Sequence, residues 1–108
     1  MQFFSTHGSV ESVLANLNQL FSTRYLHIYD FKIRPITYDE RTLNLSATLI
    51  YDPGATRYQA KFFYGSVEET TTKFKNFLNS NPNIVFFEQF PFVFHKKALF
   101  LFIAVIYT

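Results

Sequence analysis

The chain reads as an α+β domain made by duplicating one α-β-β unit, and three observations point that way. Gly8-Ser9-Val10-Glu11 recurs as Gly65-Ser66-Val67-Glu68. Leu43-x-Leu45-x-x-x-Leu49-Ile50-Tyr51 recurs as Leu99-x-Leu101-x-x-x-Val105-Ile106-Tyr107. The stretch between the two anchors has nearly the same length in both copies, which is the mark of a repeated supersecondary unit. The expected repeats are residues 3–52 and 57–108, within one domain spanning 1–108.

Ser9 is a suitable helix N-cap. After it, Val10, Val13, Leu14, Leu17, Leu20 and Phe21 follow at the steps of one helical face. Val67, Thr70, Thr71, Phe74, Phe77 and Leu78 repeat those steps, and Ser66 with Glu69 suggests a capping box. Thr70, Thr71 and Thr72 weaken the second helix, because β-branched side chains lose rotamer freedom there. Asn79-Ser80-Asn81-Pro82 ends it.

Two strands are expected after each helix. Residues 26–34 place His27, Tyr29, Phe31 and Ile33 on one face, and a turn runs through Thr37-Tyr38-Asp39-Glu40. In residues 42–51, Leu43, Leu45, Ala47, Leu49 and Tyr51 alternate with Thr42, Asn44, Ser46, Thr48 and Ile50, the pattern of a half-buried antiparallel strand. Residues 84–94 and 99–107 read as a hairpin around His95-Lys96-Lys97-Ala98, and Asp52-Pro53-Gly54 is a turn. Short leading strands are expected at 2–6 and 57–64. The expected arrangement is one antiparallel sheet shared by both units, with both helices on one face, a circularly permuted ferredoxin-like layout. The strands ending in Tyr51 and Tyr107 would lie at its centre.

Composition narrows the function classes. The sequence is 48% hydrophobic and 20% aromatic, which argues against disorder. The net charge of +2 is small and the basic residues are scattered, so no stripe suits a phosphate backbone. There is no Cys, hence no disulfide, thiolate metal site or Cys nucleophile. The longest apolar run, residues 98–107, is too short for a helical membrane span. Met1 followed at once by Gln2-Phe3-Phe4 leaves no room for a leader or an anchor in this stretch, which is the expectation for a fragment of a longer chain.

Catalytic and metal-binding candidates are weak. His7, His27 and His95 have no partner at ligand spacing, so no metal or cofactor is expected. Ser9 and Ser66 sit where caps sit. Asp39-Glu40 falls in a turn, and Glu68-Glu69 in a first helical turn, where the helix dipole favours carboxylates. Lys97-Ala98-Leu99-Phe100-Leu101-Phe102 resembles the basic-aromatic motif of RNA-recognition strands, but it lacks the glycine after the basic residue and follows the wrong element order. No nucleic-acid partner is expected.

The two copies differ in one informative way. If Leu99, Leu101, Ile103 and Val105 face a helix, then Phe100, Phe102, Ala104 and Ile106 face away, where the first copy has Asn44, Ser46, Thr48 and Ile50. Phe86, Phe90, Phe92 and Phe94 add to that apolar surplus. Phe86, Phe90, Phe92, Phe100, Phe102 and Ile106 are therefore the candidate interface residues, on the rule that contiguous exposed apolar surface marks association. The alternative is that a terminal segment covers that face.

Three stretches together resemble the periplasmic domain of PilO, with related domains in PilN and the type II secretion protein GspM. They are the Gly8-Ser9 helix start, then Arg24-Tyr25-Leu26-His27-Ile28-Tyr29-Asp30-Phe31-Lys32-Ile33, then Leu43-Asn44-Leu45-Ser46-Ala47-Thr48-Leu49. The resemblance covers residues 3–51 best, and the second copy completes the duplicated architecture of that group. It implies a non-enzymatic assembly module of a type IV pilus or type II secretion inner-membrane platform, acting as a homodimer or as a heterodimer with a paralogous platform protein. It also implies a periplasmic location, with attachment to the inner membrane through a tail, transmembrane helix and coiled coil that this chain lacks. The phenylalanine-rich second copy departs from the family pattern. Two other readings stand beside this one: a small-ligand regulatory domain of the ACT-like kind, and a small enzyme on a ferredoxin-like scaffold. Fold alone cannot decide among the three.

Overall fold

The computed structural model describes residues 1–38, 42–94 and 98–108. Its elements are β1 (Gln2–Ser9), α1 (Val10–Thr23), β2 (Leu26–Tyr38), β3 (Leu43–Pro53), β4 (Gln59–Ser66), α2 (Val67–Leu78), β5 (Ile84–Phe94) and β6 (Ala98–Tyr107). The protein is α+β and duplicated, as expected. Each copy begins with a full strand of 8 residues running from Gln to Gly-Ser, so the unit is β-α-β-β. The expected turn at Asp39-Glu40 and the hairpin tip His95-Lys96-Lys97 lie outside the described residues.

The single shared sheet is not formed. There are two three-stranded antiparallel sheets, ordered β1-β3-β2 and β4-β6-β5. The strands ending in Tyr51 and Tyr107 are central, each in its own sheet. Stacking wins over edge-joining because a joined sheet would leave the phenylalanine face of the second copy wet, at about 25 cal/mol per Å² of apolar area. The edges also discourage joining: β2 and β5 carry Pro35 and Pro91 at matching positions, and proline has no N–H to offer a neighbouring strand.

The duplication extends to fine geometry. Gly8 and Gly65 take φ of +142° and +148°, a region L-residues rarely adopt, at the turn from strand into helix. The following serines cap the helices: Ser9 Oγ accepts from the Ser12 N–H at 3.2 Å, and Ser66 Oγ from the Glu69 N–H at 3.2 Å. Register shifts recur between Ile28 and Asp30 and between Ile84 and Phe86.

The copies stack head to tail. Helix α1 lies on the β1–β3 side of the first sheet and buries Val10, Val13, Leu17 and Phe21. The second sheet lies beside α1 over the β2 side of the same face, so residues of both copies share one core cluster. Asn18 on α1 satisfies the free edge of β4: its amide donates to the Ala60 carbonyl at 3.1 Å and accepts from the Ala60 N–H at 2.9 Å. Arg34 on β2 pairs with Glu88 on β5 at 3.3 Å. Helix α2 covers the opposite face of β4 and β6, where Phe74 and Phe77 pack with Phe63, Ile103 and Val105. The apolar stripe of α2 is narrower than expected: Thr70 is fully buried and donates to the Leu101 carbonyl at 3.4 Å, whereas Val67 and Leu78 are exposed.

The linker is pinned to the first copy. Leu26 donates to the Thr56 carbonyl at 2.9 Å, and Gly54 to that of Tyr25 at 3.1 Å. The Arg57 guanidinium donates to the carbonyls of Phe21 and Ser22 at the end of α1 and lies 4.3 Å from the Tyr25 ring centroid. It supplies the positive charge that the last turn of α1 lacks.

Candidate functional site: an uncovered sheet face

In β5 and β6 the strand alternation read from the sequence holds: Phe86, Phe90, Phe92, Phe100, Phe102 and Ile106 point away from α2. In β2 it does not, because the bulge at Tyr29 buries Leu26 and Ile28, rather than His27 and Tyr29, with Phe31 and Ile33. The six interface candidates are nevertheless not an external surface. Phe102 and Ile106 are fully buried, Phe92 nearly so, and Phe86, Phe90 and Phe100 are half-buried against the same core. Their cover is the first copy. Phe102 is the hub, with ring centroids 4.9 Å from Phe90, 5.1 Å from Phe62 and 6.1 Å from Tyr64. The expected interface is thus internal, between copies of the repeat.

The exposed apolar surface lies on the other side of the second sheet. A helix is about 10 Å across and strands are about 4.8 Å apart, so one helix covers two strands and leaves the third. In the first copy that third strand is β2, and the second sheet covers it. In the second copy it is β5, and among the described residues only α2 touches that face of it, through Phe74 on Phe87 and beside Ile84. Phe31 and Phe87 hold equivalent registers, opposite Leu49 and Val105. Phe31 is 2% exposed and Phe87 47%. Along the same face of β5 follow Gln89, Pro91 and Val93, with Leu99 opposite Val93, all exposed. The Phe87 ring rests 5.5 Å from that of Phe74, which holds it upright on the surface.

A second feature is a cleft of about 360 Å³ where the copies meet, lined in part by Val10, Glu11, Leu43, Tyr64, Phe92 and Phe100. Tyr64 donates to Glu11 at 3.1 Å. Partial burial, and then the Glu11 charge and hydrogen bond, raise the Tyr64 hydroxyl above its ordinary pKa. At the far end of the first sheet, Tyr29 donates to Asp52 at 2.8 Å, and the Met1 ammonium sits 3.1 Å from the same carboxylate. The Tyr29 hydrogen bond, then that of the ammonium, lowers the Asp52 pKa.

The remaining candidates stay apart. His7 and His27 are exposed, and His27 meets the Tyr29 ring edge-on at 4.7 Å; His95 is outside the described residues. Glu68 and Glu69 occupy the first turn of α2. No group of three or more potential metal-ligating side chains occurs among the described residues. No helix among them is long and apolar enough to cross a membrane. Compared with protein-family models, curated proteins and solved structures, the chain gives no match.

Proposed function

We propose that this protein is a non-enzymatic assembly module that works by protein–protein association, in the manner of the type IV pilus and type II secretion platform domains its first repeat resembles. Phe87, Pro91, Val93 and Leu99 support this reading most directly, because they are exposed apolar residues on one face of a sheet, interrupted by Gln89 and by no charged residue. Association occurs through the face of β5 rather than its edge, since Pro91 interrupts the edge. The partner is a paralogous platform protein or a second copy, in the periplasm at the inner membrane, and neither cofactor nor nucleic acid is involved.

The test is sedimentation velocity of the protein alone and mixed with the paralogous platform protein encoded beside it. A complex that Phe87→Glu with Leu99→Glu abolishes, at unchanged circular dichroism, is the expected result. A protein that stays monomeric under both conditions refutes the reading.

The cleft beside Tyr64 favours one alternative, a small-ligand domain of the ACT-like kind. An apolar wall with a few polar groups is the usual make-up of a ligand pocket. Saturable quenching of tyrosine fluorescence by small molecules, lost in Leu43→Trp, would favour it.

A further inference from the structure

We infer that the uncovered face of β5 and β6 is the seat for one further β-α-β-β unit, laid on the second copy as the second is laid on the first. This rests on the association reading above and specifies its partner and geometry. The relation between the copies is heterologous: the helix-bearing face of one receives the opposite face of the next. A heterologous relation uses different faces on its two partners, so the second copy keeps its own helix-bearing face for a further step. The same step taken from the second copy lands on Phe87, Gln89, Pro91, Val93 and Leu99. This surface therefore continues an interface the chain already contains, with Phe87 standing where Phe31 stands and Pro91 where Pro35 stands.

The chemistry of the occupant follows from the surface that fills the equivalent seat. That surface presents Phe62, Phe86, Phe90 and Phe102 from one sheet. A second copy of this chain offers a poor match through its first sheet: Phe3 and Ile50 are exposed on its outward face, but Ser5 stands for Phe62, Asp30 for Phe86, Arg34 for Phe90 and Ser46 for Phe102. Burying those groups against Phe87 would leave hydroxyls and charges without water or partners. One end of the stack is thus mixed, with charges and hydroxyls where the second copy has phenylalanines, and the other is more apolar. The partner is another protein with a three-stranded sheet whose outward face is aromatic.

The experiment converts the mixed end into a probe. A donor chain carries Ser5→Phe, Asp30→Phe and Ser46→Phe to imitate the second copy, with Phe87→Glu and Leu99→Glu to block its own receptive face. Mixed with the unmodified chain, it should form a 1:1 complex in sedimentation velocity, and the complex should vanish when the acceptor also carries Phe87→Glu. No complex, or one indifferent to Phe87→Glu, overturns the inference. So does self-association of the unmodified chain through Phe87, which would make a second copy the occupant.

If the donor fails to fold, a three-unit chain decides, made by repeating residues 57–108 after Thr108. The chain has no cysteine, so Phe87→Cys introduces a single thiol in the second unit. A folded third unit should slow labelling of that thiol at least about tenfold relative to the two-unit chain, the factor that corresponds to 1.4 kcal/mol of protection. Unchanged labelling beside a folded third unit overturns the inference. These results do not depend on the natural platform partner, so failure of the docking geometry and failure of the association reading are told apart.

Discussion

Phe102 shows how one side chain changes meaning with its surroundings. It points away from its own helix, as a solvent-facing residue would, yet it is fully buried. Three aromatic neighbours, Phe62, Tyr64 and Phe90, surround it and none can collapse far into a vacated space. Phe102→Ala should cost about 3–5 kcal/mol in denaturant melts. Phe102→Glu should abolish the folded state, since the carboxylate would have no partner in that cluster. A folded Phe102→Glu protein with an altered oligomeric state would mean that the residue faces outward after all.

Among the elements, α1 and α2 show the same start signals put to different uses. Both begin at a left-handed glycine and a serine cap, and both cover two strands of their own sheet. Helix α1 also borders β4, where the Asn18 amide takes the place of a neighbouring strand for Ala60. Asn18→Ala would leave that N–H and C=O without their partner at a partly buried site, and should cost about 1–3 kcal/mol. A urea midpoint within error of the parent would show that water replaces the amide there. On α2, Lys75 and Asn76 stand where α1 has Asn18 and Gln19, and no strand lies beside them. The short second helix, with its threonines, is an outer cover rather than a central strut.

For the molecule as a whole, the stacking order makes equivalent residues unequal. Phe31 lies between the copies and Phe87 at the open end, though their strands, bulges and prolines correspond. Phe31→Glu should therefore prevent folding, while Phe87→Glu should shift stability by less than about 1 kcal/mol, as surface changes do. Thermal melts of the two variants compare the environments directly. Similar losses at both positions would contradict the head-to-tail stack.

The repeat, both helices, their serine caps and the alternation of β3, β5 and β6 were legible in the residues, because each depends on interactions within a few positions along the chain; the bulge that moves Leu26 and Ile28 to the buried face of β2 was not. The face of Phe102 was legible for the same reason: strand periodicity fixes which way a side chain points. What lies opposite that face was not. Whether two three-stranded units join at their edges or stack by their faces depends on contacts between residues far apart in sequence. It turns on which arrangement leaves less apolar surface wet, and here the aromatic second sheet and the wide apolar face of β2 favour stacking. The tertiary structure alone therefore decided that the phenylalanines of the second copy form the interior, and that the exposed seat is the far side of β5, where a single helix is too narrow to cover three strands.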